Sequence, residues 1–163
     1  MYPSVQRVQN ALIELGSASQ VVELEASTRT AVEAAQAAGC EVGQIVKSLV
    51  FMLLTEGQPE GVLVLVSGTN RVHEKHLGRL LGGTLARADA DFVHQTSGFA
   101  IGGVPPFGHA TRLPVYIDQD FWQFEVIWAA AGTPNAVFSI TPTGLVRITG
   151  GVVAHLKVER VTI

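Results

Sequence analysis

A single cysteine, Cys40, stands in the whole chain of 163 residues, so neither an intramolecular disulfide nor a cysteine-rich zinc site can form. Nothing points to an oxidising compartment. Positive charge is not in excess either: 11 Lys and Arg face 14 Asp and Glu, a formal net charge of −3. That balance excludes a protein that coats nucleic acid through its overall field and leaves room only for a local basic site. Long apolar runs are missing as well. The longest, Leu49 to Leu54, is far too short to cross a bilayer. The N-terminal MYPSVQRVQNALIELG lacks a charged start followed by an unbroken apolar stretch, and it reads as an amphipathic helix and not as a signal peptide. These absences give the expectation of a cytoplasmic protein with no membrane and no DNA partner.

What is present is a composition 47% hydrophobic and 15% charged, which suits one domain over residues 1–163 with a sizeable core. Seventeen glycines and seven prolines are scattered along it, as expected of many short elements joined by tight turns. Ser4 is the expected cap of a helix carrying Val5, Val8, Leu12 and Leu15 at helical spacing, with Gly16 ending it in the left-handed conformation. A short strand is expected over 20–24. Thr30 with Glu33 three residues on forms a capping-box pattern before an alanine-rich helix closed by Gly39. The apolar, β-branched run from Val46 and the later VLVLVSG read as two buried strands joined by a hairpin. Residues 70–81 read as a helix, 84–86 as extended, and 89–96 as a helix capped by Asp89. After the loop SGFAIGGVPPFGH come a strand at LPVYID, a strand pair at FEVIWAAAG and AVFSIT, and a last helix capped by Thr141 and begun by Pro142. This order predicts a mixed sheet with helices around it, without regular βαβ alternation.

Several residues could carry chemistry. Lys47 lies inside IVKSLVFMLL, where an ammonium group needs either a partner or a cleft. It is a strand-edge lysine whose stem covers apolar surface while its head reaches water, or a cation aimed at an anionic or carbonyl-bearing ligand. The segment from Gly98 to His109 concentrates glycine and proline with almost no charge, and backbone amides in such a loop can build an anion or oxyanion site. His109 could serve a ligand or bond the loop backbone. His73 and His76 read as surface residues on one helix face, and Arg71, Lys75 and Arg79 as a charged face of the same helix that could contact phosphates. Cys40 reads as a packed thiol. Asp118 could orient a site residue and Asp120 cap a turn. No dinucleotide fingerprint, phosphate loop, HExxH pattern or GxSxG elbow is present, so no cofactor and no metal is expected. Catalysis would rest on positioning and backbone donors.

The segments TAVEAAQAAGCEVGQIVKSLVF, VLVLVSGTNRV, TSGFAIGGVPPFGH, LPVYID and WAAAGTPNAVFSITP, in this order over almost the whole chain, resemble the YbaK family, also called the prolyl-tRNA synthetase associated domain. The resemblance implies an α+β fold with a mixed, strongly curved, barrel-like sheet surrounded by helices, in a free-standing form. It implies an aminoacyl-tRNA deacylase, a hydrolase of translation fidelity that removes a wrong amino acid from a mischarged tRNA, often a tRNA for proline. The family's lysine falls on Lys47, which would position the aminoacyl-adenosine end. The family's loop falls on Gly98 to Pro106, so that the backbone of Gly102 and Gly103 would face the ester carbonyl. The resemblance also implies that the water would be activated in part by the ribose hydroxyl of the substrate itself. Asp118 falls near the site in an orienting role, and Thr30, Ser48, Gly98, Pro105, Pro106, Phe107 and His109 are expected to line the substrate. The loop departs from that of the cysteinyl-tRNA deacylases, which carry a serine and a leucine there, and is closer to the branch that includes alanyl-tRNA deacylases. Either a partner aminoacyl-tRNA synthetase or a local basic patch would supply selectivity for tRNA. A non-catalytic aminoacyl- or nucleotide-binding module would use the same Lys47 and loop without turnover. A small-molecule ester or thioester hydrolase would turn over free esters without tRNA.

Overall fold

A computed structural model describes residues 1–159. Helix α1 (Pro3–Glu14) begins one residue before the expected cap: Tyr2 is the N-cap and Pro3 the first helical residue. Proline fits there because its fixed φ is helical and its missing N–H would have had no partner. Val5, Val8 and Leu12 are buried, whereas Leu15 stays largely exposed as the C-cap. Gly16 follows with φ +74°, and the Ser17 amide donates to the Leu12 carbonyl at 2.9 Å, closing a Schellman motif.

After the short strand β1 (Val22–Glu23), helix α2 (Ala31–Ala38) starts at Thr30, whose Oγ1 accepts from the Glu33 amide at 3.1 Å, one half of the predicted box. Gly39 closes it at φ +73°. The hairpin of β2 (Ile45–Leu54) and β3 (Glu60–Ser67) forms as expected, in register from Val46 opposite Ser67 to Leu53 opposite Glu60.

Helix α3 (Glu74–Leu80) is shorter than the predicted 70–81. Asn70 is held by side-chain bonds to Asp118 and Asp120, and residues 71–73 pair with the C-terminal segment, His73 N to Leu156 O at 2.7 Å and Val158 N to Arg71 O at 2.8 Å. Backbone groups so engaged cannot join a helix. His73 becomes the N-cap, its Nδ1 accepting from the His76 amide at 3.2 Å, so the two histidines do not share a helix face.

Strand β4 (Thr84–Arg87) and helix α4 (Ala90–Ser97), capped by Asp89, match their expectations. Strand β5 (Val115–Asp118) leads through a 3₁₀ turn to β6 (Ile127–Ala130) and β7 (Ala136–Ile140). Helix α5 (Pro142–Thr149) is capped by Thr141, and β8 (Val152–Ala154) was not foreseen.

The strands make one mixed, curved sheet in the order β1-β7-β6-β2-β3-β5-β8, with β4 also on β2. It remains open at β1 and β8. The pairs β2–β6, β3–β5 and β5–β8 are parallel and the others antiparallel. Both faces are covered, which explains the weak alternation of the central hairpin. On one face Val46, Val50, Leu63 and Leu65 join α1, α5 and Phe138, and on the other Phe51, Leu53, Val62 and Val64 meet Leu77, Leu85 and Leu156.

Candidate active site

The flank of β2 that faces away from β3 is shared by two strands that do not meet. Strand β6 pairs only with Ile45 and Val46, and β4 pairs from Phe51 onward. Among the described residues, therefore, no strand lies beside 47–50 on that flank, and a cavity of about 740 Å³ opens there. Lys47, Ser48, Thr30, Gly102 and Arg71 all line it, so five of the residues singled out in the sequence come together in space.

Lys47 is half-buried at this opening, and its Nζ donates to the Asn70 carbonyl oxygen at 2.5 Å. Burial lowers its pKa, with the Asp118 carboxylate opposing that shift and the Arg71 guanidinium adding to it. Asp118 does not line the cavity. It is fully buried behind it, where its carboxylate accepts from Ser67 N at 3.0 Å, Asn70 Nδ2 at 2.9 Å and Asp120 N at 2.9 Å. Asn70 Nδ2 also reaches Asp120 Oδ2 at 2.8 Å, and Lys157 Nζ lies 2.8 Å from the same oxygen. The carboxylates thus fix the turn after β3, and that turn fixes Lys47.

The rim is cationic. Arg29, Arg71 and Arg87 line the cavity with Lys47, and Glu74 is 3.8 Å from Arg87. This is the local basic site that a net negative chain leaves room for. Arg71 belongs to the rim and not to a helix face with Lys75 and Arg79, because α3 starts only at Glu74. The deeper walls are apolar, among them Val46, Val50, Val93 and Val104.

The glycine-rich loop divides into two parts. Gly98 caps α4 at φ +80°, and its carbonyl accepts from Arg7 Nη1 at 3.2 Å while the Arg7 guanidinium stacks 4.4 Å from the Phe99 ring. Gly102 has φ +96° and lines the cavity, with no backbone partner recorded for its amide among the described residues. The Gly103 amide, by contrast, donates to Ala100 O at 3.1 Å, and its carbonyl accepts from Gly132 N at 2.9 Å. A Cβ on Gly103 would come within 2.7 Å of the Gly132 backbone, so this glycine joins the loop to the β6–β7 turn. Pro105, Pro106 and Phe107 are buried away from the cavity, Phe107 edge-on to Phe138 at 5.5 Å. His109 bonds Pro105 O through Nε2 at 2.6 Å, and burial lowers its pKa. With Pro106 and Phe107 it borders a separate cavity of about 370 Å³. Cys40 is packed against α2 and Ile45, and burial raises its pKa.

Sequence reasoning missed Arg29, Arg87 and Asn70. The arginines carry no motif, and Asn70 acts through partners some 48 and 50 positions away.

Comparison with known proteins adds a family context. The sequence profile of the aminoacyl-tRNA editing domain matches residues 25–148. YwhH of Bacillus subtilis (strain 168), a protein of uncharacterized function, is 29% identical over 142 residues, 87% of this chain and 88% of that one. EbsC of Enterococcus faecalis (strain ATCC 700802 / V583), described as a candidate Cys-tRNA(Pro)/Cys-tRNA(Cys) deacylase, is 26% identical over 127 residues, 77% of this chain and 75% of that one. A crystal structure described as that of a candidate trans-editing enzyme for prolyl tRNA synthetase superposes with a TM-score of 0.90 at 52% identity, covering 98% of this chain and 99% of the other.

Proposed function

We propose, for a chain that belongs to the aminoacyl-tRNA editing domain family and is an aminoacyl-tRNA deacylase, that its substrate is a tRNA for proline carrying a small noncognate amino acid. The observation that carries the ester-hydrolysis part of this reading is the meeting of Lys47 and Gly102 at one cavity formed where β2 loses its flanking strands, and the likeness to a candidate trans-editing enzyme for prolyl tRNA synthetase supports proline tRNA as the carrier. A cation held in place by the Asn70 carbonyl and a backbone amide with no partner among the described residues are what an ester at the end of a polyanion needs.

In this reading Lys47, with Arg29 and Arg71 around it, holds the terminal nucleotide through its phosphate. The Gly102 amide faces the ester carbonyl oxygen, where charge develops as water adds. The water oxygen attacks the carbonyl carbon, the bond from that carbon to the ribose oxygen breaks, and the ribose oxygen takes up a proton. The free amino acid and the deacylated tRNA leave. The neighbouring ribose hydroxyl orients the water and helps to remove its proton, while the lining carboxylate, Glu74, lies 3.8 Å from Arg87. Gly103 is a scaffold residue here, because its amide is already bonded. Asp118 orients, through Asn70, and does not touch substrate.

The apolar walls accommodate a small side chain. A methylene in such a pocket discriminates by only ~1–3 kcal/mol, so the amino acid removed is set by a few wall residues. A partner synthetase that hands over its product would add the tRNA selectivity that net charge does not supply, and the work would take place among the cytoplasmic translation components.

The test is a panel of tRNAs for proline charged with alanine, cysteine, serine or proline, with ester loss followed against a Lys47→Ala control. Loss of one noncognate amino acid, reduced by orders of magnitude in a folded Lys47→Ala protein, is expected. Equal turnover by the variant would remove Lys47 from the reaction, and loss of none would remove proline tRNA as the substrate.

A further inference from the structure

Ser48 has polar groups without partners at the floor of the cavity. Its Oγ is buried and makes no hydrogen bond among the described residues. Its backbone is in a similar position. The Gly68 amide donates to Ile45 O at 2.8 Å, so by the alternation of an antiparallel ladder the odd-numbered residues of β2 exchange bonds with β3. The even-numbered residues turn their N–H and C=O groups to the other edge. There β6 stops at Val46 and β4 starts at Phe51, which leaves the Ser48 edge facing the cavity with neither strand alongside.

A buried polar group without a partner is costly, and native structures rarely keep one without use. The surroundings narrow what the partner is. Charged side chains at the cavity are cationic, namely Arg29, Lys47, Arg71 and Arg87, apart from Glu74, which sits beside Arg87. Donors for phosphate and carbonyl oxygens are therefore plentiful. Side-chain acceptors are few: Thr30 Oγ1 already accepts from the Glu33 amide, the Glu74 carboxylate lies 3.8 Å from the Arg87 guanidinium, and the deeper walls are valines. Within the aminoacyl moiety itself, the group shared by every amino acid that must donate is the α-amino group. We infer that Ser48 is the subsite for that amino group, accepting from it with the carbonyl oxygen and, after rotation about χ1 into the cavity, with Oγ. This rests on the deacylase reading above and adds to it the feature by which an aminoacyl ester is told from other esters.

The experiment compares the most active noncognate aminoacyl-tRNA of the panel with its deamino analogue, propionate for alanine or 3-hydroxypropionate for serine, each rate divided by that of uncatalysed hydrolysis. The wild type is expected to lose about tenfold or more in kcat/KM when the amino group is removed, the loss of one or two hydrogen bonds. Ser48→Ala is expected to be impaired on the aminoacyl-tRNA, to discriminate less against the analogue, and to melt at the same or a higher temperature than wild type, because an unpartnered hydroxyl has been removed. Ser48→Cys keeps the shape at a slightly larger volume, with a weaker hydrogen bond, and gives the same comparison if the alanine variant folds poorly. A wild type indifferent to the amino group, or Ser48 variants with undiminished discrimination, would overturn the assignment while leaving the deacylase standing. A wild type that hydrolyses no aminoacyl-tRNA would overturn both.

Discussion

Lys47 and Asn70 are joined at 2.5 Å, the lysine ammonium donating to the asparagine carbonyl, and the asparagine side chain is in turn divided between Asp118 and Asp120. A half-buried cation is thereby held by a neutral oxygen whose position is set by two carboxylates. The Lys47 ammonium bonds neither of them, so it keeps donors for a ligand, whereas an ion pair would compete with that ligand.

Replacing Asn70 by alanine keeps the carbonyl and removes what places it. Asp118 would lose one of three recorded bonds while fully buried, which costs about 1–3 kcal/mol. The expected result is a folded protein of lower melting temperature whose kcat falls about tenfold, because Lys47 no longer rests in one place. Asn70→Asp should not rescue it, since it sets a third carboxylate against the two. Thermal melts with single-turnover deacylation assays check both, and a variant with wild-type kcat would show that the Lys47 position does not depend on this turn.

Gly102 and Gly103 are adjacent and should respond differently to alanine. At Gly102 the added Cβ has room, 3.5 Å from Pro134 Cγ and 3.7 Å from Arg29 Cγ, but φ is +96°. The strain of about 1–2 kcal/mol would turn the loop and its amide, so activity should fall more than stability. At Gly103 the Cβ would meet backbone at 2.7 Å, which cannot yield without moving the β6–β7 turn. That variant should lose stability first. Melting temperatures and kcat measured side by side separate the two, and a Gly102→Ala protein of full activity would move the oxyanion donor elsewhere.

How far the sequence reveals this arrangement depends on the range of the interactions. The caps at Thr30, Asp89 and Thr141 and the glycine ends at Gly16 and Gly39 are fixed by bonds a few residues long, and all form where the side chains imply them. Strand β8 escapes notice because three residues with two exposed valines carry no periodic signal. Arg71 shows the limit: its spacing to Lys75 and Arg79 is helical, yet Asn70 is bound to residues some 50 positions away and the helix cannot start there. The cavity itself arises from the divergence of β6 and β4 along β2, a matter of sheet order that no local pattern encodes. The loop residues Pro105, Phe107 and His109 resemble ligand-binding elements in sequence but pack and bond within the protein.

The pair Asp120–Lys157, 2.8 Å apart, makes stability depend on pH at both ends of the range. The bond from Lys157 is the main reason the Asp120 carboxyl lies below its ordinary value, and the same bond raises Lys157 above 10.5. A depressed carboxyl stabilises the fold above its unfolded pKa and loses that contribution as pH falls through the folded one. A raised lysine stabilises below 10.5 and loses its contribution as pH rises through the folded value. Both groups are within reach of solvent, so the pair is worth under about 1 kcal/mol. Lys157→Met should therefore lower stability slightly between these limits, with the difference from wild type shrinking in acid below the Asp120 titration and again in strong base. Denaturant melts of both proteins across that range test it, and a difference that stays constant into acid would show that Asp120 ionisation is not what Lys157 stabilises.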